Sequence, residues 1–137
     1  MQTIGYEICQ SARKIYQYLN YLFEPFEITP EQWIIIKALL REDKLSQKEL
    51  SLRVNKDQNT TKAIVDKLVK KGFIKREDNP QDKRAFILSL TSKAISLAPK
   101  LKELDAQMIS TLTSEIQSQE LENFLSTLKK LKNNISL

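Results

Sequence analysis

Histidine is missing from this chain of 137 residues, cysteine occurs once, and glycine only at Gly5 and Gly72. Each scarcity removes a class of chemistry. Without histidine, and with one thiol, little remains for a zinc or other transition-metal site, and neither Cys9 nor any serine has an imidazole to activate it. Two isolated glycines cannot build the phosphate-cradling loop of a P-loop or dinucleotide-binding protein. One cysteine excludes an internal disulfide and agrees with a reducing compartment. No apolar run is long enough to cross a membrane, and the N-terminus shows no signal-peptide core. We therefore expect a cytoplasmic protein that is not an enzyme and uses no cofactor, folded as a single domain over 1–137.

What the chain does have is concentrated between Ser46 and Thr91. Ser46 opens a short helix with Glu49 three residues on, a capping box, flanked by the apolar anchors Leu45 and Leu50. Asp57 is a second N-cap. Beyond it Thr61, Ile64, Val65 and Leu68 recur at helical spacing as one buried stripe, and Gly72 suits the left-handed position that stops a helix. Phe73–Arg76 and Ala85–Leu90 read as strands around the turn residues 78–82. Helix, turn, helix and hairpin together predict a winged helix-turn-helix over about 29–91.

The charge is local. Residues 53–84 hold ten Lys and Arg against five Asp and Glu, an excess of five, and the whole chain, with 22 against 17, has the same excess. The remainder is balanced, so the surplus is an electrostatic footprint of the kind a phosphate backbone selects. A lysine-rich solvated face is the ordinary alternative. Against it stand Gln58, Asn59 and Thr60, which crowd the first turn of the second helix. Amides and hydroxyls there suit base edges and phosphates, and a winged helix that bound only protein would have no need of them.

Flanking helices complete the plan. Residues 3–23 carry Ile4, Ile8, Ala12, Ile15, Leu19 and Leu22 in a seam-like spacing, with Tyr6, Tyr16, Tyr18 and Tyr21 around the rest. Thr29, Pro30 and Gln32 start another helix by capping box, with Trp33, Ile35, Ile36 and Leu39 toward a core. Thr91 can cap a long helix carrying Ile95, Ala98, Leu101, Leu104, Met108 and Leu112, with Pro99 inside it to kink it, and the pattern restarts after Gln117 through Leu121, Phe124, Leu125, Leu128, Leu131 and Ile135. The fold class expected is mainly α with a small β-hairpin wing, and with dimerisation helices over about 3–23 and 92–137. Such a homodimer would set two reader helices one DNA turn apart on a near-palindromic duplex.

Several stretches resemble the multiple-antibiotic-resistance regulator (MarR) family of bacterial repressors: Leu45-Ser46-Gln47-Lys48-Glu49-Leu50, the run Ile64–Ile74, Asn79-Pro80-Gln81-Asp82-Lys83-Arg84, Leu90-Thr91, and the helix start Ile28–Trp33. The resemblance implies a homodimer that binds operator double-stranded DNA and is often released by a small anionic or phenolic effector. By position it implies that the helix 58–71 enters the major groove, with Gln58, Asn59, Thr60 and Lys62 as base or phosphate contacts. Ser46 and Gln47 would hold phosphates, Lys56, Lys67 and Lys83 would add to the cationic face, and Arg84 would lie in or near the minor groove. Arg84 has a rival structural reading, bridging Asp66 or Asp82. Ala63 departs from the family, which often has arginine there. Peroxide-sensing members carry an N-terminal cysteine about a turn earlier than Cys9, so Cys9 is expected as a small buried apolar residue. The histidine ligands of the metal-sensing branch are absent. An aromatic cleft with Trp33 and Tyr16 is a candidate effector site, against plain core packing.

Three functions follow: a sequence-specific transcriptional regulator, a winged-helix module for protein partners, and a non-specific architectural DNA binder. The polar tip favours the first.

Overall fold

The computed structural model describes residues 3–137. Helix α1 (Ile4–Phe23) passes through a 3₁₀ turn (Glu24–Phe26) to α2 (Pro30–Arg41). Strand β1 (Leu45–Ser46) leads into α3 (Gln47–Val54), α4 (Gln58–Lys70), β2 (Ile74–Asn79), β3 (Asp82–Leu90), α5 (Ser92–Leu112) and α6 (Ser118–Asn133). Two compact units divide the chain, one reaching to Asp105 and the other Ala106–Leu137, with α5 running from the first into the second.

The expected helix signals act as caps. Thr29 Oγ1 accepts from the Gln32 amide at 3.2 Å while Gln32 Oε1 accepts from the Thr29 amide at 3.1 Å. Ser46 and Glu49 repeat the exchange, each bond 3.1 Å. Asp57 accepts from the Thr60 amide at 2.7 Å. These bonds satisfy amides that a helix start otherwise leaves open. Gly72 has φ +82°, a backbone in which a side chain is strained.

The first unit is built around one apolar cluster. Trp33, Ile35, Ile36 and Leu39 of α2 meet Leu50 of α3, Val65 and Leu68 of α4, Leu88 of β3 and Leu101 of α5, all essentially inaccessible. Phe23 meets Trp33 edge to face, ring centres 6.0 Å apart. Trp33 is thus core and not the wall of a cleft. Its Nε1–H donates to Asp105 Oδ2 at 2.9 Å, tying α2 to α5. Thr91 joins wing to helix: its amide and hydroxyl donate to the Phe73 and Gly72 carbonyls, while Oγ1 caps the Ala94 amide.

The expected hairpin forms between β2 and β3, and a third strand extends it: β1 pairs antiparallel with β3, Leu45 opposite Leu88, giving the order β1-β3-β2. A two-residue strand has no periodicity for a sequence to display. Cys9 is exposed, not buried. Only the C-terminal end of α1 enters the core, so Ile4, Ile8 and Ala12 are open as well. Ile95, assigned to the apolar pattern of the long helix, is 57% exposed, whereas Ala94, Ala98 and Leu101 face inward. Pro99 sits within α5 without ending it.

In the unit Ala106–Leu137, α6 keeps its expected start after Gln117, and Leu121, Leu128 and Leu131 are half-buried while Phe124 and Leu125 are exposed.

Candidate nucleic-acid interface

Helix α4 places the site. Burial of Thr61, Val65 and Leu68 fixes its rotation, and at about 100° per residue the opposite face carries Asn59, Ala63, Asp66 and Lys70. Gln58 and Lys62 lie on one flank of that face, Thr60 and Lys67 on the other. Thr61 donates its hydroxyl to the Asp57 carbonyl at 2.9 Å and is fully buried, so it packs and does not read.

An open groove of about 520 Å³ separates α4 from the wing and the start of α3. Ser46, Gln47, Gln58, Lys62 and Arg84 line it together. Those five come from β1, α3, α4 and β3, up to 38 residues apart in sequence, and only the tertiary fold unites them. The Gln47 amide donates to the Gln58 carbonyl at 3.5 Å, linking the two helix starts. Asn59 and Thr60 are exposed on the first turn of α4 beside this groove, Lys83 is exposed near the wing tip, and Lys56 is half-buried in the turn between α3 and α4. Lys67, in the last turn of α4, lies half a revolution from Gln58.

Capping consumes part of the polar tip. The Thr60 hydroxyl donates to Asp57 Oδ2 at 2.8 Å, and its amide to the other oxygen. Those bonds hold the Asp57 carboxyl below its ordinary range. The amino-terminal charge of α4 is therefore met by a carboxylate of the chain itself, and Thr60 retains only its acceptor capacity.

Sequence reasoning missed Arg76. It is half-buried on β2, lines the groove, and its guanidinium donates to Asp66. Lys62 reaches the other Asp66 oxygen at 2.9 Å. With Lys62 and then Arg76 beside it, the Asp66 carboxyl titrates below its ordinary range. The i,i+4 spacing of Lys62 and Asp66 could have shown half of this arrangement, but the approach of Arg76 depends on how β2 lies against α4. Arg76 also removes the bridging reading for Arg84. Arg84 donates only its backbone amide, to Asp82 Oδ1 at 2.9 Å, and among the described residues its guanidinium has no ion-pair partner. Phe86, 50% exposed, adds an apolar wall to the groove.

Comparison with known proteins relates this chain to transcriptional regulators. Residues 28–86 match the model of the MarR family. The HTH-type transcriptional regulator SarZ of Staphylococcus saprophyticus is 30% identical over 133 residues, spanning 90% of this chain and 90% of that protein. A mutant MarR of E. coli, solved complexed with operator DNA, superposes with TM-score 0.86 at 26% identity, covering 93% of this chain and 92% of that one. The S. aureus MepR–DNA complex gives TM-score 0.91 at 24% identity over 97% and 98% of the two chains, a likeness of fold.

Proposed function

This chain belongs to the MarR family of transcriptional regulators, and we propose that it is a homodimeric, sequence-specific repressor that leaves its operator when a small-molecule effector binds. Members of the family regulate transcription and are not enzymes. The observation that carries the reading is the groove uniting Ser46, Gln47, Gln58, Lys62 and Arg84. Its helix side presents an amide and an ammonium to a major groove, and its wing side presents a free guanidinium to the flanking minor groove, whose narrowness deepens the negative potential. Lys83 extends the cationic edge, Asn59 is the outward amide of α4, and Lys56 and Lys67 supply more distant phosphate contacts. The MarR and MepR complexes, both with DNA, support the same use of this fold.

Dimerisation is supported by apolar side chains left open at both ends of the chain: Ile4, Tyr6 and Ile8 on α1, and separately Ile109, Leu112, Phe124 and Leu125 on α5 and α6. We take the chain as one functional domain in which these helices join two copies. Isologous pairing then sets two α4 helices against successive major grooves.

Selection of duplexes from a random pool tests the proposal. A two-fold-related motif should be enriched by the wild type, and the triple variant Gln58→Ala, Asn59→Ala, Lys62→Ala should lose it. Enrichment by the triple variant of the same motif with unchanged affinity sinks the assignment of α4 as reader. Sedimentation as a monomer at micromolar concentration, with and without DNA, removes the dimer.

A further inference from the structure

One side chain in the groove between α4 and the wing has no part in its polar chemistry. Phe86 is 50% exposed, and among the described residues lining the groove it is the one large apolar side chain left open. A lone exposed ring is ordinary on a protein surface; its place is what distinguishes this one. Arg84, Phe86 and Leu88 alternate onto one face of β3. Leu88 is buried in the core, Arg84 is exposed, and Phe86 is the step between them. Among the described residues its ring stacks on no other aromatic ring, and no cation lies over it. Asp78 stands opposite it in register and is exposed. A phosphate at this step would therefore meet a carboxylate, whereas a sugar carries no charge.

A duplex bound as described above lays the strand that separates major from minor groove between α4 and the wing, because Gln58 and Lys62 face the one and Arg84 the other. That strand presents phosphates, which Ser46, Gln47 and Arg84 suit, and deoxyribose rings, whose carbon faces suit none of them. We propose that Phe86 packs against one deoxyribose of that strand in each half-site. The contact is apolar, indifferent to base sequence and selective for deoxyribose, since a 2′-hydroxyl would set a polar group against the ring. It rests on the DNA-binding reading given above. Thymine methyls, the other apolar feature of a duplex, lie on the major-groove floor, on the α4 side of the site and not the wing side.

Anisotropy titrations with the enriched duplex, and with a duplex of unrelated sequence, test the contact. Phe86→Ala should keep the wild-type melting curve and weaken both duplexes about tenfold. Its slope against salt should stay that of the wild type, because no phosphate contact is lost. Phe86→Leu should recover most of the affinity. A single ribonucleotide walked through the enriched duplex should weaken wild-type binding at one sugar in each half-site, and Phe86→Ala should be insensitive there. Deoxyuridine in place of each thymidine should affect both proteins alike. The proposal is overturned if no sugar separates wild type from Phe86→Ala, or if dependence on a thymine methyl disappears with the ring. Wild-type affinity of Phe86→Ala for both duplexes overturns it as well and leaves the regulator reading standing. Failure of the wild type to bind either duplex defeats both.

Discussion

Arg84 and Lys62 line the same groove but should not contribute equally to DNA affinity. Lys62 already holds Asp66 at 2.9 Å, whereas the Arg84 guanidinium has no ion-pair partner among the described residues. Each phosphate neutralised by a free cation contributes about 0.9 to the slope of log affinity against log salt. Removing Arg84 from both wings of a dimer should therefore flatten the slope by roughly 1.8, and between ~50 and ~200 mM salt the variant should lose about twelvefold less affinity than the wild type. Lys62→Ala should flatten it by less than half as much, because a phosphate gains Lys62 only by competing with Asp66. Asp66→Asn should act in the opposite sense, freeing Lys62 and Arg76 and steepening the slope. Anisotropy titrations of a labelled duplex at five salt concentrations measure all four proteins. Equal slopes for wild type and Arg84→Ala, or a larger change for Lys62→Ala than for Arg84→Ala, would refute the argument that internal pairing decides which cation is available.

Other expectations concern the scaffold. Gly72→Ala meets no obstacle nearer than Lys93 Cδ at 3.8 Å, so its cost should be only that of the left-handed backbone, about 1–2 kcal/mol, read as a lowered urea midpoint. Gly72→Asn should cost less. Asp105→Ala leaves the indole N–H of a fully buried Trp33 unpaired and should destabilise by about 1–3 kcal/mol, with Asp105→Asn recovering part of it; fluorescence of the single tryptophan follows unfolding. Tyr16 donates its hydroxyl to Glu31 at 2.6 Å, and that bond, with burial and the Glu31 charge, pushes its pKa up to about 12. A raised folded value means that this contribution is complete below the ordinary tyrosine pKa of about 10 and is lost as pH rises through about 12. Ultraviolet titration should show one of the four tyrosines ionising last, and Glu31→Gln should bring it back toward the others.

Local signals carried most of the fold. Capping boxes at Thr29 and Ser46, the cap at Asp57 and the stop at Gly72 depend on residues within four positions of one another, and each formed where its spacing placed it. The apolar stripe of α4 likewise declared which face would be buried. Strand β1 stayed hidden because its pairing with β3 spans more than forty residues, and Arg76 because its partner lies on another element. Cys9 was misplaced because apolar spacing in α1 reveals a face but not whether anything covers it.

By itself, then, the order of residues determined the helix starts, the β2–β3 hairpin, the position of the surplus charge and the lack of histidine, since all of these rest on short-range geometry or on inventory. Tertiary structure decided which cations are spent within the protein and which are free. It set Asp66 between Lys62 and Arg76 and left Arg84 open. It also brought Lys71 and Lys93 to one apolar pocket. Ion pairing falls off within a few ångströms, and only the packing of α4 against the wing, and the approach of Lys93 on α5 to Lys71 and Phe73 after α4, fixes distances of that order between residues far apart in the chain.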